Sequence, residues 1–235
     1  MKQEAIKDLG IITFIKRKNT RRINVRIEAQ GQIKVSLPYS VAYNTAKSFL
    51  LENKSYIQER LAHLNAQLTV FDTNTSFHTM WHTLVIQKDG CKQPEYIIDN
   101  HQIKVNYPKD LPVTDSRVQQ TARAAIEHAL RKEAKIYLPR RTKELALKYH
   151  FNYNKIFVKN IKTLWGSCSY KNNINLNIHL MRLPRHLIDH IILHELAHTV
   201  FKNHGPQFQE LLRSISKYDP QLLKMELKKY TPQMY

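Results

Sequence analysis

The stretch "ILHELAHTVFKNHG", residues 192–205, places three histidines and one glutamate within eleven residues of otherwise apolar or small side chains. An imidazole taken out of water needs a polar partner, and a metal ion is one that several rings can share. In a helix, His194 and His198 stand one turn apart on the same face and can reach one ion together. With Glu195 beside the first histidine they form H-E-x-x-H, an arrangement in which the glutamate takes the proton from a zinc-activated water.

The third candidate ligand is His204. A continuous helix would carry it about 15 Å along the axis from His194, whereas zinc ligands each lie about 2 Å from the ion. The helix is therefore expected to end between them. Asn203 can adopt a left-handed conformation and Gly205-Pro206 stops further helix, so a turn is expected there. Three neutral imidazoles with one position left for water make an open, catalytic kind of site, since structural zinc sites are closed by a fourth protein ligand. A lone histidine on an apolar helix is usually a hydrogen-bonded core residue; three at this spacing, with a glutamate and a chain reversal, point to a metal. Glu210 and Glu226 are alternative third ligands, but Glu210 is expected on the exposed side of a helix carrying Phe208, Leu211 and Leu212.

At 235 residues, 42% hydrophobic and 24% charged, the chain has the composition of a folded globular protein and can bury a real core. The start, "MKQEAIKDLG", lacks the apolar run of a secretory signal, and no apolar stretch is long enough to span a bilayer; a cytoplasmic location without a membrane partner is expected. The two cysteines, Cys91 and Cys168, are far apart, so reduced thiols are expected. The formal charge of +18, densest at Lys16–Arg22 and Arg131–Lys143, suits either a solvated basic surface or a nucleic-acid or nucleotide partner.

Apolar alternation at Ile23, Val25, Ile27 and at Ile33, Val35, Leu37, around "EAQGQ", predicts a β-hairpin. A helix is expected after it, from about Ser40 or Asn44 to Leu61 and beyond. Short strands are expected at His82–Gln87, "EYIIDN" and "QIKVNY". The two prolines of Pro108–Asp115 predict a linker, which divides the chain into a strand-rich domain with one helix, residues 1–112, and a second domain, residues 113–235. There, Ser116 to about Tyr149 is helical, with Pro139 kinking or dividing it. "KIFVKN" and "NINLNIHL" are strand candidates, Leu183-Pro184 opens the helix of the histidines, and two short helices follow Pro206.

With "TLWGSCSYKNNINLNIHLMRLP" thirty residues ahead of "HELAHTVFKNHGPQF", and "KRKNTRRINVRIEAQGQIKVSLP" near the start, the chain resembles the YgjP-like metallopeptidase family, relatives of SprT-like and other minimal zinc peptidases. The resemblance implies an α+β fold, a strand-rich amino-terminal part followed by a zincin-like helical core with a small sheet. It carries over His194, His198 and His204 as ligands of Zn2+ and Glu195 as base. Two positions depart from the expected pattern: Leu164 stands where a basic residue usually precedes the tryptophan, and Phe201 where metzincins place a glycine. In "WGSC", Trp165 is expected to pack near the cleft, Gly166 to be a tight backbone position and Ser167 a local cap. Cys168 is expected as a buried thiol; as a fourth zinc ligand it would close the site.

The expected function is zinc-dependent hydrolysis of peptide bonds in a peptide or protein substrate. Trp165, Asn175 and Asn177 are cleft candidates, and "NINLNIHL" is the candidate edge for pairing an extended peptide. One alternative is a metal-dependent nucleoside triphosphate pyrophosphatase, as family members have been assigned, although the sequence has no Gly-rich phosphate loop and no cluster of acidic magnesium ligands. Another is a basic nucleic-acid-associated protein in which the zinc site is secondary.

Overall fold

A computed structural model describes residues 2–27, 33–66 and 69–232. The chain forms two compact units, one ending at Thr69 and one beginning at Val70.

In the first unit, β1 (Lys2–Ile6) and β2 (Gly10–Lys16) make an antiparallel hairpin whose turn uses Asp8 and Gly10 at positive φ, 67° and 76°. β3 (Asn24–Ile27) and β4 (Ile33–Leu37) pair antiparallel, and β2 runs parallel to β4, giving the order β1-β2-β4-β3. The arms of the expected hairpin are thus β3 and β4; its turn, Glu28–Gln32, lies outside the described residues. Ile33, Val35 and Leu37 are buried while Lys34 and Ser36 are not, the period of two that places one sheet face on a core. That core is closed by Ala46 and Leu50 of α1 (Tyr43–Glu52) and Ile57 of α2 (Lys54–Ala66). The one helix expected here is two, divided at Asn53, whose side chain donates to the Phe49 carbonyl 2.8 Å away.

The second unit opens with β5 (Thr83–Asp89), β6 (Glu95–Asp99) and β7 (Gln102–Pro108) in the order β5-β7-β6. Val118, Ala122 and Ile126 of the long α3 (Ser116–Lys148) share one core with Ile103 and Val105 of β7. This packing explains why the boundary falls at Thr69–Val70 and not at 112–113: the sheet cannot bury its apolar face without α3. Pro108–Asp115 is the turn from β7 into α3, capped by Asp115, which accepts from the Arg117 amide at 2.9 Å. Pro139 lies inside α3, which continues through it. The fully buried Glu133 accepts from the Met80 and Trp81 amides, pinning the entry to β5 onto α3.

β8 (Ile156–Lys159), β9 (Gly166–Cys168) and β10 (Ile174–Asn177) form a second small sheet in the order β8-β10-β9, with β10 parallel to β8 and antiparallel to β9. A short 3-10 turn (Ile178–Arg182) leads to α4 (Arg185–Ala197), capped by Pro184, and then come α5 (Pro206–Ile215) and α6 (Pro220–Leu227). Leu187, Ile188, Ile192 and Leu196 of α4 are sealed in the core, each such side chain contributing roughly 1.5–3 kcal/mol. That burial fixes the helix that carries the histidines. The chain is a mixed α/β protein with a strand-rich amino-terminal part, small sheets and, among the described residues, six α-helices.

Candidate metal centre

α4 ends at Ala197, so His194 lies in its last turn and His198 is its cap. The amides of Val200 and Phe201 both bond back to the Ala197 carbonyl, and the chain turns there. Asn203 does not take the left-handed conformation expected of it: the reversal is completed by the 198–201 turn and by extended Gly205 (φ −66°, ψ 179°), which caps α5 ahead of Pro206.

The result is convergence. His204 Nε2 stands 3.1 Å from His194 Nε2 and 3.2 Å from His198 Nε2, and among the described residues these three form the one group of His, Cys, Asp or Glu able to hold a metal ion. Tetrahedral ligands about 2.05 Å from an ion stand about 3.3 Å from one another, so the nitrogens are spaced for a common cation. His198 Nδ1 is 3.0 Å from the Phe201 carbonyl, which only accepts, so Nδ1 carries the proton and Nε2 presents its lone pair. Burial holds His194 and His198 neutral, the ligating form: desolvation, then the neighbouring rings, takes His194 down to about 3, and desolvation also lowers His198. The residues present therefore fit a soft-to-borderline divalent ion.

Phe208, from the first turn of α5, touches all three rings, stacking on His198 at 4.6 Å and meeting His194 and His204 edge-on at 5.0 and 4.9 Å. It is 1% exposed and forms the apolar wall of the site. From the sequence alone Phe208 is part of the apolar face of α5; its place four residues beyond His204, just inside a proline-started helix, is the available signal.

Glu195 is 6% exposed, and burial pushes its carboxyl up to about 8. Its Oε2 is buried without a partner. The side chain lies against Gly166 of β9, where an added Cβ would stand 2.9 Å from Glu195 Cγ and Oε1. Gly166 thus has a specific reason to be glycine, which its reading as a tight backbone position anticipated without naming the neighbour.

The other residues singled out in the sequence have different placements. Trp165 is partly buried against the main core, and its carbonyl accepts from the Asn177 amide. Asn175 donates to Ser167 Oγ across the sheet at 3.1 Å. Asn177 is fully buried, donating to the carbonyls of Ile161, Leu164 and Pro232 and accepting from the His179 amide, so its amide ties loops together and is not brought to the histidines. Cys168 is outside the histidine group; its Sγ lies 4.0 Å from Lys202 Nζ, and burial raises the thiol. Glu210 is exposed, and Glu226 pairs with His186 at 2.9 Å.

β10 is paired on both sides, so "NINLNIHL" is no free edge, and the strand expected to pair with a peptide is the wrong one. The free edge near Glu195 belongs to β9. The Asn177 amide bonds to the Trp165 carbonyl and the Ser169 amide to the Asn173 carbonyl; by antiparallel alternation, Gly166 and Cys168 direct their N–H and C=O groups away from β10.

The sequence profile described as "YgjP-like, metallopeptidase domain" matches residues 21–230. The chain belongs to the YgjP-like family. It is a metallopeptidase by that membership, and peptide or protein is the substrate class that goes with it. Among solved structures, the metallopeptidase zymogen jannalysin of Methanocaldococcus jannaschii aligns at 27% identity over 39% of this chain and 93% of its own, with a TM-score of 0.36. The metallopeptidase zymogen abylysin of Pyrococcus abyssi aligns at 16% identity over 41% and 98%, also at 0.36. No curated protein matches the sequence.

Proposed function

We propose that this YgjP-like chain is a zinc-dependent peptidase in which His194, His198 and His204 hold the ion and Glu195 is the general base. The observation that carries the reading is the meeting of the Nε2 atom of His204 with those of His194 and His198, 3.1 and 3.2 Å away, at the end of α4, whose last turn also carries a buried, partnerless carboxyl oxygen. A zinc ion held by His194, His198 and His204 would supply Lewis acidity toward a water and the scissile carbonyl near neutral pH. Glu195 takes the proton of the attacking water and delivers it to the leaving amine. Gly166 leaves room for that carboxylate, Phe208 packs against all three imidazoles from one side, and the Phe201 carbonyl holds His198 in its ligating tautomer. The outward backbone groups of Gly166 and Cys168 on β9 offer an extended peptide a strand to pair with beside Glu195.

Phosphoanhydride hydrolysis fits less well, since the donor set is imidazole alone and no acidic cluster joins it among the described residues. No helix among the described residues is long and apolar enough to cross a membrane, and both cysteines are free, which suits a cytoplasmic location. Replacing Glu195 by Gln tests the assignment: peptide cleavage is expected to be lost with one zinc per chain retained, and full cleavage by that variant would refute the base.

A further inference from the structure

The four-stranded sheet of the first unit has one covered and one open face. Ile12, Phe14, Val35 and Leu37 point into the core closed by α1 and α2. The alternate residues emerge on the other side, where the register sets Gln3, Thr13, Lys34 and Arg26 side by side across β1, β2, β4 and β3. Within that row Gln3 Nε2 donates to Thr13 Oγ1 at 3.4 Å, and none of the four residues is buried. Ser36 and Asn24 pair in the next row. β3, the edge strand, follows directly on the exposed Arg17, Lys18, Arg21 and Arg22 of the β2–β3 connection.

Charge divides the same way. Residues 1–69 hold twelve Lys and Arg against five Asp and Glu. Glu4 is engaged by Lys2 and by Lys47 of α1, Asp8 by Lys54 of α2 at 2.8 Å, and Glu52 and Glu59 lie on the helices themselves. Among the described residues no carboxylate stands on the open face, and Arg17, Lys18, Arg21, Arg22 and Arg26 form no ion pair. Four of these five are arginines, whose planar fork meets a phosphate at two oxygens. Such a surface fits a polyanion of high charge density, and duplex DNA carries one charge per about 1.7 Å of its axis. The open face has no aromatic ring on which unpaired bases would stack, which sets single strands aside. Its exposed large apolar side chain is Ile11, while Phe49, Leu51 and Tyr56 lie on α1 and α2, so the basic face lacks the aromatic and aliphatic cluster that enters a lipid surface. A two-stranded ribbon such as β3–β4 is admitted by the major groove of B-form DNA, whereas the A-form groove of duplex RNA is too narrow.

We propose that this face is a docking surface for duplex DNA, on which Arg17, Lys18, Arg21, Arg22 and Arg26 hold backbone phosphates and Asn24 and Ser36 add hydrogen bonds to backbone oxygens. The contact is tolerant of sequence, since groups that meet phosphates carry no base information. It stands whatever the zinc site cleaves, and it gives the first unit a role of its own.

The test measures binding of the full chain to a labelled, mixed-sequence DNA duplex by fluorescence anisotropy between about 50 and 200 mM salt. Five phosphate contacts predict a slope of log K on log salt of about −4.5, hence a loss of roughly 500-fold over that range. Arg22→Glu/Arg26→Glu is expected to flatten the slope by about 2 and to weaken binding at least about tenfold, with thermal unfolding unchanged. Arg22→Gln/Arg26→Gln is expected to flatten it equally at half the change in net charge. Lys132→Glu/Lys135→Glu, at exposed positions of α3, repeats the full charge change and is expected to leave the slope as it is. Unlabelled single-stranded DNA, duplex RNA, polyglutamate and phosphatidylglycerol vesicles are each expected to compete less well than unlabelled duplex DNA. Absence of duplex binding at the lowest salt, a slope that both sheet-face variants leave unchanged, an equal loss from the α3 pair, or better competition by any of the other four polyanions would overturn the docking surface.

Discussion

Gly166→Ala is the most informative single change, because its consequence follows from distances alone. The new Cβ would stand 2.9 Å from Glu195 Cγ, 2.9 Å from Oε1 and 3.1 Å from Cδ, whereas carbon atoms rest about 3.5–4.0 Å apart. Between about 0.5 and 1 Å of overlap has to be relieved. β9 is held by β10, and Glu195 sits on a helix whose neighbours are fully buried, so the carboxylate is what yields. Overpacking of this kind costs about 1–3 kcal/mol of stability. A displacement approaching 1 Å in a catalytic group lowers turnover by up to about 100-fold, equivalent to about 2.7 kcal/mol of barrier. The three atoms nearest to the new methyl group all belong to Glu195 and none to an imidazole, so zinc content is expected to stay at one per chain. Measuring kcat/KM on a peptide substrate together with zinc stoichiometry and thermal unfolding checks each part. Wild-type turnover in folded, zinc-replete Gly166→Ala would refute the claim that this glycine sets the base.

His204→Ala is expected to weaken zinc binding by at least about 100-fold, as measured by chelator competition, while Glu226→Gln leaves it unchanged. Asn177→Ala is expected to destabilise the fold by about 2–4 kcal/mol, since three carbonyls lose their donor; a loss of turnover without a fall in stability would instead place Asn177 against substrate. In metal-free protein the Glu195 carboxyl titrates near 8, against an ordinary value of 4.5. The folded chain keeps a proton on this group that the unfolded chain releases, so the contribution of Glu195 to wild-type stability falls as pH rises from about 4.5 to 8, by on the order of 5 kcal/mol. Glu195→Gln removes this slope, so denaturant unfolding is expected to show the variant gaining on wild type at pH 8 relative to pH 4.

The histidine site was legible because everything that builds it is local: a four-residue spacing, a helix with apolar flanks and a stop signal before the third ring. The turn itself was misread at Asn203, since backbone carbonyl sharing at Ala197 reverses the chain without a left-handed residue. Strand order was not legible. "NINLNIHL" alternates like a half-exposed strand, yet its asparagines serve as cross-strand and interloop ties, and β10 becomes the centre of its sheet. β1 and β2 leave only a weak signal in the sequence, because Ile11, Ile12, Phe14 and Ile15 alternate imperfectly beside the basic run Lys16–Arg22. The division at Thr69 depends on β7 packing against α3, a contact between distant segments that no local composition records. Phe208 and the closeness of Gly166 to Glu195 are likewise products of tertiary packing.

X-ray absorption at the zinc edge of protein purified with its metal tests the central claim most directly. The account predicts one zinc per chain with three imidazole nitrogens at about 2.0 Å and one further light-atom ligand. A sulfur scatterer at about 2.3 Å, which would put the Cys168 thiolate on the metal and close the site, or a signal unchanged in His204→Ala, would contradict it.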